Sequence, residues 1–353
     1  MSIGLGDVPE DFARPEANRT SCQAFLLLKW IEMQIDINSI TSFLACPRCK
    51  QPLLKGVECC TCTNTSCSST YPVRNHIPIL INGENSVFHI DDYLQEQTSA
   101  AAPGGSKMGK IFDRLVPSIT QNCVGERNFE FLASQLRERV NPKVLVVGAG
   151  ELGVGFNFLL SDKSIALVET DVYFAPRVSI IADCHDLPFL DESFDAVIVQ
   201  AVLEHVADPA RCVDEIHRVL KQDGSVYAET PFMFPVHLGP YDFTRFTRSG
   251  HRRLFRKFSE LSSGIASGPA TALNLAIRSF LLSFSTSRLS SLMVSNLLPF
   301  FIFWIKYFDY WMVRKKHAAD YSASFYFIGR KENTAISDRE LIDMHWSRTR
   351  AST

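Results

Sequence analysis

Net charge is almost absent from this sequence: 36 Lys and Arg stand against 38 Asp and Glu, for a formal charge of −2. That balance gives no global electrostatic reason to bind nucleic acid. Charged residues make up only 21% of the 353, and hydrophobic residues reach 46%, which excludes a disordered chain and allows two or three domains. Cysteine is scarce outside one place: six of the ten lie between positions 46 and 67. No cleavable export signal is expected, because residues 1–16 are polar and acidic and the apolar stretch at 24–28 is late and short. Clustered cysteines without such a signal point to a metal site rather than a disulfide framework.

Residues 144–230 carry the strongest order. An apolar run at 144–147 meets Gly148, Gly150 and Gly153; a second apolar run ends in Glu169 and a third in Asp183. Continuous apolar runs are the pattern of buried parallel strands. Glycines let the backbone turn tightly beside a ligand, and an acid ending the second strand can accept ribose hydroxyls. The glycines also satisfy G-x-G-x-x-G, with Glu169 near the ~20-residue dinucleotide spacing, so taken alone they leave NAD open.

The segments that follow, ADCHDLPF, ESFDAVIVQAVLEHV and HRVLKQDGSVY, closely resemble the class I S-adenosylmethionine-dependent methyltransferases, in the branch that methylates quinones and small molecules. The resemblance covers roughly residues 125–265. It implies an α/β, Rossmann-like sheet, parallel except for one antiparallel last strand supplied by residues 324–328. It also implies S-adenosylmethionine as cofactor, held by Gly148, Gly150, Gly153, Glu169, Asp183, Cys184 and Gln200. In this frame Asp183 and the backbone after it meet the adenine, Leu187, Pro188 and Phe189 supply apolar area beside it, and residues 200–205 adjoin the methionine moiety. Ligands of open α/β sheets bind outside the carboxyl ends of the strands.

The expected organisation is an N-terminal arm at 1–40 with a short amphipathic helix near 22–34, a cysteine module at 41–82, and a polar linker at 83–110. A methyltransferase domain at 111–332 contains an apolar insertion at 271–316, and a tail at 333–353 follows. A helix is predicted over 128–140, because Phe129, Phe131, Leu132 and Leu136 recur at helical spacing before Asn141-Pro142.

Within the cysteine module, Cys46-x2-Cys49 reads as a zinc knuckle. The second pair has alternatives: Cys62-x4-Cys67, or ligands drawn from Cys59 and Cys60. The first is similar to the zinc ribbon of the tRNA-methyltransferase activator family, where a cysteine pair precedes a Tyr-Pro and an Ile-Pro, here Tyr71-Pro72 and Ile77-Pro78. The x4 spacing departs from that family's x2. The resemblance implies structural Zn2+ on Cys46, Cys49, Cys62 and Cys67, with metal binding supplying folding free energy. Reduced cysteines in a metal-free loop are the alternative.

After the fifth strand of the domain, PFMFPVHLGPYDFTRFTRSGHRRLF resembles a bacterial-type methyltransferase pattern through His237, Pro240, Tyr241, Asp242, Arg245, Phe246 and Thr247. The resemblance implies a loop over the active site. There His237 is a candidate general base, Asp242 orients it or binds a hydroxyl, and Arg245 clamps a carboxylate or phosphate. A structural Asp242–Arg245 pair, with His237 a bystander, fits the same residues. The Asn/Asp-Pro-Pro-aromatic signature of amine methylation is missing; Gln200-Ala-Val-Leu203 stands there.

These features lead to an enzyme that methylates a small-molecule or lipid- or glycan-linked acceptor at oxygen. Two rivals remain open. One is an RNA (tRNA or rRNA) methyltransferase, for which Arg245, Arg248, Arg252, Arg253, Arg256 and Lys257 would meet phosphates. The other is a non-enzymatic scaffold whose zinc ribbon binds a partner protein. The insertion holds 17 uncharged residues, 289–305, bounded by Trp304, Lys306, Tyr307, Tyr310 and Trp311 and interrupted by Asn296 and Pro299. A span needs ~17–25 apolar residues. Contact with a membrane surface is expected rather than a crossing, which would part strand 324–328 from its sheet; a buried helical pair or a dimer contact is the alternative. The expected location is cytoplasmic, peripheral at a membrane.

Overall fold

The computed structural model describes residues 40–94 and 115–351. The N-terminal arm, its expected helix and linker residues 95–110 lie outside the described residues. The first four strands, β1 (Leu53–Lys55), β2 (Cys59–Cys62), β3 (Thr70–Arg74) and β4 (Ile77–Leu80), form an antiparallel meander. Asn75 and His76 join β3 to β4 with φ of 50° and 64°, the sense of twist a two-residue hairpin requires.

Seven further strands follow: β5 (Lys143–Val147), β6 (Ala166–Asp171), β7 (Ile180–Ala182), β8 (Phe194–Gln200), β9 (Leu220–Pro231), β10 (Phe258–Ser267) and β11 (Ser324–Lys331). Together they make one sheet in the order β1-β2-β3-β4-β7-β6-β5-β8-β9-β11-β10. Strands β7, β6, β5, β8 and β9 run parallel, and β11 lies antiparallel between β9 and β10. This is the expected sheet, with its antiparallel last strand at the predicted place. The meander joins it through β4, which pairs in parallel with β7, Ile79 opposite Ile181 and Leu80 opposite Ala182.

The central strands are apolar because both faces are covered. In β5 all residues after Lys143 are buried, and in β8 all before Gln200. Short helix α1 (Ile90–Leu94) precedes α2 (Gly125–Arg137), which starts where Asn122 Oδ1 accepts from the amides of Val124 and Gly125. It buries Phe129, Leu132 and Leu136, with Phe129 edge-on to Phe156 and Tyr227. Phe131, counted on the same face from sequence, is exposed instead. After α3 (Asn157–Leu160), helix α4 (Pro209–Val219) is capped by Asp208, which accepts from Arg211 N at 3.1 Å. It packs Cys212, Val213, Ile216 and Val219 onto the sheet.

The cysteine module is fastened to the domain at several points. Ala45 N donates to Pro188 O at 2.9 Å, Leu190 N donates to Phe43 O at 2.9 Å, and the Phe43 ring meets Phe194 edge-on. Lys50 Nζ reaches Glu215 of α4 at 2.8 Å. Leu187 and Phe189 are buried in this shared core. Neither lines the cavity described below; their apolar area holds the module.

Helices α5 (Arg248–Leu254), α6 (Pro269–Leu282), α7 (Arg288–Ile302) and α8 (Asp309–Met312) come before β11, and α9 (Asp338–Ala351) follows it. The stretch Arg288–Met312 is the one helical run among the described residues that is long and apolar enough to cross a membrane, yet only 17% of its apolar window is buried. Two side chains fix it to the domain. Asp309, with 0% exposure, accepts from Gly268 N, Ala270 N and Thr271 N at the start of α6, at 3.2, 2.8 and 2.9 Å. Lys306 Nζ donates to Ser118 O at 2.7 Å. The opposite face is apolar and open: Phe284, Phe301 and Trp311 are 69%, 74% and 63% exposed.

Candidate cofactor and acceptor site

The chain leaves β5 for β6 on one side and returns to β8 on the other, so the carboxyl ends of β5 and β8 mark a switch point, where open α/β sheets bind ligands. A cavity of about 270 Å3 lies there. Gly148 turns the chain out of β5 with φ of 78°, and a Cβ on it would stand 2.2 Å from Val202 Cγ2. Gly153 lies against the Gln200 side chain, where a Cβ would come within 2.6 Å of the amide. Gly150 contributes its amide, which donates to Asp171 Oδ2 at 2.8 Å.

Asp171, the last residue of β6, lines the cavity. Burial pushes its pKa up to about 6, against the amide bonds from Gly150 and Val172 that favour the carboxylate. The acid expected here from sequence was Glu169. Its carboxylate is instead taken by Arg177, whose Nε and Nη2 lie 2.8 and 2.6 Å from Oε1, and it does not line the cavity. Asp171, two residues further along the strand, is the acid that lines it.

Asp183, Cys184 and Gln200 line the cavity as expected. Asp183 Oδ1 accepts from His185 N at 3.0 Å and from His185 Nδ1 at 2.6 Å, while Oδ2 accepts from Ser86 Oγ at 2.5 Å. Burial works to raise this carboxyl's pKa, but the bonds from His185 and Ser86 prevail and hold it below the usual range. His185 Nε2 accepts from Asp208 N, which leaves the ring proton on Nδ1, facing Asp183.

Ser86 belongs to a segment that sequence composition placed in the linker. That expectation fails for 83–94: Val87 and Phe88 line the cavity, Phe88 stacks on Tyr241 at 5.6 Å, and Tyr93 Oη donates to Val172 O at 2.6 Å. Tyr241, part of the loop pattern read from sequence, also lines the cavity, and so does Tyr173, which had no signal in the sequence.

Of the three residues expected to be catalytic, His237 lines the cavity while Asp242 and Arg245 stand behind it. Arg245 forks onto the Asp242 carboxylate, with Nη2 to Oδ2 at 2.6 Å and Nη1 on Oδ1, and it also donates to the carbonyls of Phe234 and Pro235. Its donors are spent inside the loop, which leaves no fork for a substrate carboxylate or phosphate. Asp242 Oδ2 accepts from His237 N at 2.8 Å. Burial opposes the charge on Asp242, but Arg245 and the His237 amide hold its pKa low. The pair is therefore a brace, and His237 is what it positions.

In the cysteine module the sulfurs of Cys46, Cys49, Cys62 and Cys67 all lie within 4.8 Å of one another. Cys59 and Cys60 stand outside the cluster. Zn–S bonds of ~2.3 Å in a tetrahedron place sulfurs ~3.8 Å apart; Cys46 and Cys67 are 3.8 Å apart, Cys49 and Cys62 3.4 Å. Each knuckle closes on a left-handed residue just after its second cysteine, Lys50 with φ of 60° and Ser68 with φ of 51°. The donor set therefore fits a closed four-thiolate site.

A family profile described as a methyltransferase domain matches residues 156–228. The ubiquinone/menaquinone biosynthesis C-methyltransferase UbiE of Geotalea uraniireducens is 27% identical over 143 residues, covering 34% of this chain and 61% of that one. The human mitochondrial arginine-hydroxylase NDUFAF5 is 28% identical over 156 residues, covering 37% of this chain and 45% of its own. The chain thus spans about half the length of these curated relatives. The crystal structure of MccD protein aligns with 60% of this chain and 100% of its own, at 14% identity and a TM-score of 0.38. Residues 156–228 thus match a methyltransferase domain, set within the mostly parallel sheet that residues 143–331 complete.

Proposed function

We propose that this chain transfers a methyl group from S-adenosylmethionine to an oxygen of a small, lipid-linked acceptor at the cytoplasmic face of a membrane. The observation that carries this reading is one cavity with two unlike ends. One end holds two buried carboxylates, Asp171 and Asp183, beside Gly148; the other holds His205, His237 and Tyr241. In this reading Asp171 accepts the ribose hydroxyls and the Asp183–Cys184 segment meets the adenine, with Phe88 and Tyr173 as walls. When bound, the sulfonium supplies a methyl carbon that is already activated. The protein's contribution is then alignment, exclusion of water by the Val87–Phe88 segment, and removal of the acceptor's proton at the histidine wall.

The open apolar face at Phe284, Phe301 and Trp311 supports a membrane surface as the place of work. The bonds of Asp309 and Lys306 to the domain speak against a crossing. Cys46, Cys49, Cys62 and Cys67 would hold one structural zinc ion, whose part is to fold the module that presents β4 and Ser86 to the domain.

Three of the basic residues named for the RNA reading are paired within this fold, which weakens that reading: Arg252 with Glu260, Arg253 with Asp338 and Lys257 with Asp214. A scaffold without activity would have no use for so complete a cavity. The test is incubation of the protein with methyl-labelled cofactor and fractionated cell extract, followed by separation into lipid, RNA, protein and small molecules. Label in the lipid fraction as an O-methyl group is the expected result. Label on RNA overturns the acceptor class, and a carbon-bound methyl, the chemistry named for UbiE, overturns the acceptor atom.

A further inference from the structure

Glu204 and His205 sit in the turn after β8, and His237 in the loop after β9. Their ligand atoms converge: His205 Nε2 is 3.0 Å from His237 Nε2, and Glu204 Oε1 is 3.7 Å from the former and 4.0 Å from the latter. The protons around them can be counted. His205 Nδ1 lies 2.9 Å from Tyr241 O, a pure acceptor, so the ring hydrogen is on Nδ1 and Nε2 carries a lone pair. His237 Nδ1 lies 3.3 Å from both Pro235 O and Asp242 Oδ2, again acceptors, so its ring carries a hydrogen on Nδ1. Glu204 has 0% exposure, and among the described residues neither of its oxygens accepts a hydrogen bond from another residue. Two ring nitrogens and a carboxyl therefore converge, and between them the described residues place only a proton of their own, on Glu204 or on one ring. A cation at their centre would satisfy all three atoms at once.

We infer that Glu204, His205 and His237 bind one divalent first-row transition-metal ion at the acceptor end of the cavity, at a site separate from the four cysteines. Imidazole nitrogen and carboxylate oxygen bind such ions at ~2.0–2.2 Å, which places ligand atoms ~3–3.5 Å apart. The two imidazoles already satisfy this, and the carboxylate has only a small distance to swing. Two nitrogens and one oxygen suit zinc, iron, cobalt or nickel better than magnesium or calcium.

The surroundings are what a metal site requires. Each imidazole donates its far N–H to a fixed acceptor, Tyr241 O for His205 and Asp242 or Pro235 O for His237, which sets tautomer and ring orientation. Arg245 then holds Asp242. The run from His237 to Arg245 thus reads as a ligand, two carriers of its partners' orientation, and a clamp. Three protein ligands leave further positions open, and the cavity is lined by both histidines. The class of molecule that fits there is one with a hydroxyl to coordinate, whose proton the ion would loosen as a Lewis acid in place of a free histidine base. That use of the ion rests on the methyl-transfer reading; the binding of the ion does not.

The test is titration of the full chain, its four-cysteine site already loaded with zinc, with cobalt chloride alone. Wild type is expected to take up a single further equivalent, with the visible absorption of nitrogen- and oxygen-ligated cobalt and no strong sulfur charge-transfer band. Affinity should fall at least about tenfold in Glu204→Gln and in His237→Ala. His237 is partly exposed on a loop, so its substitution keeps the question answerable if Glu204→Gln does not fold. Uptake by wild type no greater than by His237→Ala, or a sulfur charge-transfer band accompanying uptake, overturns the site. No acceptor or cofactor enters the experiment, so its failure is distinct from failure of the methyl-transfer reading.

Discussion

Ser86, a few residues beyond the last strand of the cysteine module, gives its hydroxyl hydrogen to Asp183 across 2.5 Å. Through that bond the module and the cofactor end of the cavity share one buried carboxylate. Asn82 repeats the link one residue triplet along, its Nδ2 donating to Asp186 at 2.9 Å. The module is therefore part of the cavity wall rather than an appendage.

Replacing Ser86 by Ala removes a donor from a buried carboxylate, and the loss should be ~1–3 kcal/mol of stability. Asp183 would then titrate nearer its ordinary value. Urea unfolding at neutral pH checks the first point. Calorimetry with S-adenosylhomocysteine checks whether the cavity loosens with it; an unchanged unfolding midpoint would show the bond to be inconsequential.

Asp171 and Glu169 give opposite outcomes. Asp171→Ala should weaken S-adenosylhomocysteine by ~1–3 kcal/mol while leaving the chain folded. Glu169→Ala should leave the Arg177 guanidinium buried without its partner, so stability falls while affinity changes little. The pH dependence follows from the sign of the Asp171 shift. Its folded pKa, about 6, exceeds the ordinary 3.8. Its contribution to stability is therefore full below the unfolded value and is lost as pH rises through the folded one. Cofactor binding runs the other way, because ribose hydroxyls need the ionised form. Affinity should drop about tenfold one pH unit below the folded pKa, and Asp171→Asn should abolish that dependence.

The cysteine cluster makes a selective prediction. The cluster is expected to hold about one tight zinc, lost in Cys46→Ser and Cys67→Ser and retained in Cys59→Ser, as read by elemental analysis. Removing the metal should lower the melting temperature and weaken cofactor binding together, since the strand it stabilises leads to Ser86.

The insertion should carry the protein with liposomes in flotation and release it in alkaline carbonate. Replacing Phe284, Phe301 and Trp311 together by Ser should abolish flotation without lowering stability, because all three are exposed. Asp309→Ala should instead lower stability by ~0.5–2 kcal/mol, through loss of the cap on α6. Resistance to carbonate would mean that the segment enters the bilayer more deeply than its bonds to the domain allow.

The sheet could be read from sequence because a strand covered on both faces is written as an unbroken apolar run, as at 144–147 and 196–199. The glycine turn was legible for a comparable reason: backbone conformation there excludes side chains. The choice between Glu169 and Asp171 was not legible. It depends on how far β6 extends and on Arg177, eight residues onward, folding back onto the earlier acid. Leu187 and Phe189 announced burial but not what would cover them, since the module that does so precedes them by more than a hundred positions. The spacing of Asp242 and Arg245 suggested a pair; that Arg245 would also bind Phe234 O and Pro235 O depends on the path of the loop. Phe88 and Tyr173 lie in segments without periodicity, where nothing local marks a cavity wall.

The parallel pairing of Ile79 with Ile181 has a consequence for synthesis. β4 leaves the ribosome long before β7 exists, so the module must hold an open strand edge while the intervening chain is made. Contacts between positions so distant form slowly, and unpaired edges are where nascent chains associate wrongly. A metal-closed meander can wait in its final shape; a metal-free one would offer β4 to any passing strand. Shortage of zinc during translation should therefore appear first as aggregated polypeptide, before any soluble enzyme with reduced activity accumulates.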